Sequence, residues 1–279
     1  MFKIASAIFV VSLLGFIGCG GGSSNTTGNN TNTAVVIDTE QKAKNTFVAL
    51  DQMMNSMDVI DTASIKNAEA VNFSSRKNRI LEEINQTTEC VISGTASITG
   101  TTDSTQMNIT TSFSQCKNTN DETIDGTIHA QGAENNLTIV FTNYSKTDLN
   151  GTKTVNLTAH MFKQSSTNTI TREMDGTISN STLSITFTDY VVIVDNTNNN
   201  VNINGTVSIA HTPASCADGT YVIETIQPLH EDPVTEEITS GQIKINNVLF
   251  TFQSNGNATA TINGQEITID TDNDEIVCN

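Results

Sequence analysis

The sequence predicts a mainly β fold: an antiparallel meander forming a strongly curved sheet or barrel, with one or two amino-terminal helices packed on it. Three observations predict it. From Cys90 onward, apolar residues recur at every second position. A four-residue pattern returns as Ile124-Asp125-Gly126-Thr127, Leu149-Asn150-Gly151-Thr152, Met174-Asp175-Gly176-Thr177 and Ile203-Asn204-Gly205-Thr206. The polar residues are mostly Thr, Asn and Ser, which suit strands and turns better than long helices.

Residues 1–18 carry one cation, Lys3, and then an apolar stretch from Ile4 to Ile17. That stretch is short of the roughly 20 residues that cross a bilayer and has the length of a secretory h-region. It ends at Gly18-Cys19, after which residues 20–34 read GGGSSNTTGNNTNTA. The whole stretch resembles the signal of bacterial lipoproteins, with Phe16 where that motif usually has Leu. The resemblance implies cleavage before Cys19 and acylation of its thiol and new amino group, and thus a membrane partner reached through the lipid. Gly20, rather than Asp, follows the cysteine, which by the same resemblance favours the outer membrane. Residues 19–36 then form a lipidated cysteine and a polar tether with almost nothing apolar to bury and a root-mean-square span of roughly 20 Å.

Residues 37–88 read as helical. Ala43, Phe47, Leu50, Met54 and Met57 recur at spacings of three and four and make one apolar stripe, a core face. Ile80, Leu81 and Ile84 suggest a second short helix beginning near Ser74 or Ser75.

Residues 89–279 form the β body. Leu183, Ile185 and Phe187 alternate with Ser and Thr, and Leu137, Ile139 and Phe141, and Val155, Leu157, Ala159 and Met161, likewise hold every second position. Such one-faced alternation marks antiparallel strands with one wet side. The four-residue pattern repeats at spacings of 25, 25 and 29, room for two strands and two turns per period. Its glycines belong either to tight hairpins or to bends inside strands. Val201, Ile203, Val207 and Ile209 keep one parity through Gly205, which favours the second use there. An outward face of Thr, Asn and Ser, with no Trp in the chain, excludes a membrane-spanning barrel.

Net charge is −17, with 13 Lys and Arg against 30 Asp and Glu and no basic cluster, so nucleic acid is excluded as a partner. Cys90, Cys116, Cys216 and Cys278 are even in number, and export would place them where disulfides persist. Three connectivities are possible; the adjacent pairing, Cys90–Cys116 and Cys216–Cys278, is favoured because Cys90 opens one strand and Cys116 closes the next.

Catalytic chemistry is not legible. His129 and His160 fall on polar parity, His230 falls in an expected loop, and His211 sits on apolar parity near Cys216, where a backbone partner is expected. Ser74-Ser75-Arg76-Lys77 matches S-x-x-K without its companion motifs. Asp270, Asp272 and Asp274 alternate as in a calcium loop but lack its glycine and distal Glu, so no metal or other cofactor is expected. These readings point to a lipid-anchored envelope protein with a non-enzymatic binding or structural role. The alternatives are a carrier of an apolar ligand in a curved β cavity and an enzyme of unrecognised type.

Overall fold

A computed structural model describes residues 34–57, 82–103, 105–133, 135–235, 237–255, 257–270 and 275–278. The signal-like stretch, Cys19, Ser74, Lys77, Ile80, Leu81, Asp272 and Asp274 lie outside the described residues.

Glu40–Ser56 forms helix α1, started by Thr39, whose hydroxyl accepts the Lys42 N–H at 3.2 Å. The strands follow as β1 (Glu82–Glu89), β2 (Ser93–Thr102), β3 (Met107–Thr119), β4 (Glu122–Ala133), β5 (Asn136–Asp148), β6 (Gly151–Gln164) and β7 (Thr169–Ser179). They continue as β8 (Leu183–Asp195), β9 (Asn200–His211), β10 (Gly219–Glu231), β11 (Ile238–Ile245), β12 (Val248–Phe252), β13 (Ala258–Ile262) and β14 (Gln265–Ile269). All fourteen lie in one sheet in sequence order, and every neighbouring pair is antiparallel. No ladder joins β1 to β14 among the described residues, so the meander is a curled open sheet rather than a hydrogen-bonded barrel.

Of the second helix expected between Ser74 or Ser75 and Ile84, only the last residues are described, and these are extended rather than helical. Residues 82–89 are strand β1, paired with β2 from Glu82↔Thr102 to Glu89↔Thr95. Three apolar residues are too few to specify a helix against a waiting strand edge, and Thr87 and Thr88 favour the extended chain. Among the described residues the β body begins at residue 82, and Glu83 and Glu89 place charge along this outer strand, which discourages pairing with other chains.

Helix α1 lies within the concavity. Residues 45–50 are all buried, more than one full turn, so no face of the helix there meets solvent. Ala43, Phe47, Leu50 and Met57 of the expected stripe are buried and Met54 is partly so; Met53 is buried as well. Phe47 meets Phe250 and Phe252 edge to face, with ring centroids 5.0 and 6.0 Å apart. A helix of 17 residues is about 25 Å long, whereas fourteen flat strands would span about 60 Å. One core cluster nonetheless runs from Met107 on β3 to Ile269 on β14 and includes the helix, in keeping with a sheet curled about it.

The repeat explains how the sheet curls. Gly126, Gly176 and Gly205 lie inside β4, β7 and β9; only Gly151, at the β5–β6 connection, serves a hairpin turn. Gly176 has φ +135°, and a Cβ there would sit 2.3 Å from the Asn156 carbonyl oxygen of β6, so only glycine fits. Beside these glycines run β-bulges carrying a second repeat: Phe113-Ser114-Gln115-Cys116, Phe141-Thr142-Asn143-Tyr144 and Phe187-Thr188-Asp189-Tyr190. The outer residues of each quartet face the core and the middle two face solvent, three positions where plain alternation allows two or four. Gln115, Asn143 and Asp189 take φ near +47° and turn their N–H groups sideways. Each N–H is met by a side chain one strand over: Asp125 Oδ1 at 2.7 Å, Asn156 Oδ1 at 2.7 Å and Asp175 Oδ1 at 2.8 Å. Asn204 does the same for Thr225 at 3.0 Å. The Asp or Asn before each in-strand glycine thus caps one neighbour's backbone while the glycine yields to the other's. The result is a polar seam from β3 to β10, along which the sheet bends.

Candidate functional site

A meander sends its connections alternately to two rims. The near rim holds residues 90–92, 120–121, 149–150, 180–182, 212–218, 246–247 and 263–264; the far rim holds the others. Of the features singled out in the sequence, the two disulfides and His211 lie at the near rim.

The chain leading into α1 is laid across it by three turn asparagines. Asn246 Nδ2 donates to Val35 O at 2.7 Å, and Val35 N donates to Thr220 O at 3.0 Å. Asn247 takes both main-chain groups of Ile37, accepting at 3.0 Å and donating at 2.9 Å. Asn263 Nδ2 donates to Asp38 O at 2.9 Å. Exposed ion pairs, Lys42 with Asp38 and Lys44 with Glu40, line the first turns of the helix, and Lys42 holds the Asp38 carboxyl below its ordinary range.

Both disulfides lie at this rim, in the favoured connectivity. Cys90 of the β1–β2 turn joins Cys116 near the end of β3, with Cα atoms 5.4 Å apart. Cys216 of the β9–β10 loop joins Cys278, with Cα atoms 5.6 Å apart, and so pins residues 275–278 to the body. The turn beside Cys90 is tightly held. Cys90 N donates to Gly94 O, Val91 N to Asn118 Oδ1 and Ile92 N to Lys117 O.

His211 ends β9 inside the same region, and its partners are side chains rather than the expected backbone group. Its Nδ1 faces Asp218 Oδ1 at 2.6 Å, and its Nε2 faces Gln52 Oε1 of α1 at 3.0 Å. Asp218 also accepts from the main-chain N–H groups of His211 and Ser215 at 2.9 Å each. An imidazole oriented by a carboxylate is the front half of a proton-transfer relay. Here the working nitrogen is occupied by a helix amide, so the group ties α1 to the β9–β10 loop. The tie was invisible in sequence because 159 residues separate Gln52 from His211.

The other histidines lie on the outer face. His129 Nδ1 meets Thr110 Oγ1 at 2.9 Å, and His160 Nδ1 meets Thr138 Oγ1 at 3.0 Å, each across one strand. His230 belongs to β10, not to a loop, because the β10 ladder to β9 resumes at Leu229 and His230 beyond a long irregularity.

Among the described residues, no three His, Cys, Asp or Glu side chains gather to hold a metal. Asp270 is exposed at the end of β14. The oxygen-rich stretch 195–200 is a turn in which Asp195 accepts from Thr197 N, Asn198 N and Asn198 Nδ2, bonds that hold its carboxyl below the usual range. No helix among the described residues is long and apolar enough to cross a membrane.

Comparison with known proteins returns no family model, no curated protein and no solved structure that matches this chain.

Proposed function

We propose that this chain is a lipid-anchored protein of the cell envelope whose β body binds or supports a partner without chemistry of its own. One observation carries the proposal: a 14-residue apolar stretch stops at a single cysteine, and the next fourteen residues contain no side chain larger than Asn and none that is charged. Such a boundary suits a guidance segment, an acylation point and a spacer in series. Two formed disulfides agree with an oxidising compartment. The resemblance to bacterial lipoprotein signals adds the outer membrane, since Gly20 rather than Asp follows Cys19.

The enclosed helix weighs against the carrier alternative. Phe47, Leu50 and Met53 sit in the concavity that an apolar cargo would need.

The test is mass spectrometry of the native protein taken from membranes, with growth on labelled palmitate. The expected amino terminus is Cys19 carrying thioether and amide acyl groups, and Cys19→Ala is expected to leave the membrane fraction. A native protein that begins at Met1, or whose Cys19 is unmodified, overturns the proposal.

A further inference from the structure

We propose that the near rim is the face this protein rests on its membrane, with the aliphatic turn tips Val91, Ile92 and Leu149 entering the lipid interface. The proposal rests on the lipid-anchor reading and adds to it an orientation and a contact surface.

Position comes first. Fourteen residues separate Cys19 from Ala34, and Ala34 bridges to Thr220 at the near rim. A spacer of that length has a root-mean-square span of roughly 20 Å. An anchored body is therefore held with this rim toward the bilayer, at an effective concentration where a weak contact suffices.

Side-chain chemistry is the second argument. Val91 is 82% exposed, Leu149 85% and Ile92 48%, although a turn tip ordinarily carries Asn, Asp or Gly. Val36, Val277 and Leu249 are also exposed at this rim, so six of the ten large apolar side chains exposed among the described residues lie toward it, and Val222 and Ile226 lie along β10. The far rim offers Val234 and Phe162.

Rigidity is the third. The Val91-Ile92 tip is held by the Cys90–Cys116 bond, by two main-chain hydrogen bonds and by a third from Val91 N–H to the Asn118 side chain. A pre-ordered apolar tip loses little conformational freedom on insertion. The Lys117 carbonyl accepts the Ile92 N–H behind one tip, and below Leu149 Lys146, ion-paired with Glu122 at 2.8 Å, lies opposite Lys153. The body is acidic overall, so the contact is apolar insertion rather than charge attraction.

The chain has no Trp, so a single introduced Trp is an unambiguous reporter. Full-length acylated V91W, L149W and V234W are reconstituted into phosphatidylcholine vesicles with and without brominated acyl chains, and flotation is measured on the same samples. The expected result is flotation of all three, with blue-shifted, bromine-quenched emission for V91W and L149W and water-like emission for V234W. Flotation with water-like emission at all three sites overturns the rim contact and leaves the anchor standing. A blue shift that needs no vesicles and grows with protein concentration assigns the rim to a second copy and also overturns it. Loss of flotation with unmodified Cys19 removes the anchor and the rim contact together.

Discussion

The side-chain amide of Asn45 pairs with the main chain of Val277: Nδ2 donates to Val277 O at 2.8 Å, and Oδ1 accepts from Val277 N at 3.1 Å. Asn45 is buried, on the second turn of α1, and its partner is 232 residues away. The amide treats the last described segment as an extra strand and closes it over the helix. Asn45→Ala removes both bonds and opens a small void, at a cost of about 2 kcal/mol in thermal or denaturant unfolding. Asn45→Asp is expected to cost more at neutral pH, because a buried carboxylate would face the Val277 carbonyl. Its deficit should shrink on acidification, since the protonated form regains a donor. An Asp variant equal to wild type at neutral pH would contradict the pairing.

The two disulfides should separate by a double-mutant cycle. The Cys216–Cys278 bond and Asn45 hold the same segment, so their losses are expected to be non-additive. The Cys90–Cys116 bond joins the β1–β2 turn to β3, neither of which is bonded to Asn45 or Val277, so replacing it should add to Asn45→Ala within experimental error. Chain-entropy arguments assign about 3.5 kcal/mol to the shorter loop and about 4 kcal/mol to the longer one.

The repeated glycines divide by role, and mutation should reveal it. Gly176→Ala places a methyl against the Asn156 carbonyl in the middle of the sheet, at a cost of about 3 kcal/mol or more. Gly151→Ala has the same sequence context and a positive φ, but open space around it, so about 1 kcal/mol is expected. Equal costs measured by denaturant unfolding would mean that the in-strand glycines do not serve close strand approach.

How far the sequence carried follows from these elements. The period of two was legible because one face of nearly every strand is buried. The repeat was legible as a repeat, but its dual use was not: Leu149-Asn150-Gly151 and Met174-Asp175-Gly176 differ only in what the neighbouring strand does. The bulge quartets leave their own signal, a jump from two to three between Phe141 and Tyr144 and between Phe187 and Tyr190. That jump reads as noise until the partner residue, Asn156 or Asp175, is seen beside it. Strand β1 was misread as helix because pairing, not local preference, decides a polar segment. The His211–Gln52 and Asn45–Val277 ties had no local trace at all, since each joins the helix to chain more than 150 residues away.

The tyrosines give a last test. The chain has three, Tyr144, Tyr190 and Tyr221, and all are buried. Burial is the main cause that raises each phenol, aided by Glu122 near Tyr144 and Asp218 near Tyr221; Tyr144 is pushed up to about 12. A phenol with a higher pKa in the folded state than in the unfolded one binds more protons when folded. Its contribution is complete below about pH 10 and is lost as pH rises from there toward the folded value. Tyrosinate absorbance is therefore expected to lag the ordinary phenol titration and then rise together with loss of structure. The three hydroxyls also differ in satisfaction. Tyr221 donates to Ala217 O at 2.6 Å, whereas the Tyr190 hydroxyl meets no hydrogen-bond partner among the described residues. Tyr221→Phe should lose about 1 kcal/mol, and Tyr190→Phe should be neutral or gain about 1 kcal/mol, since it removes a buried polar atom that no described group satisfies. A large loss at Tyr190→Phe would show that its hydroxyl has a partner after all, such as a buried water in the concavity.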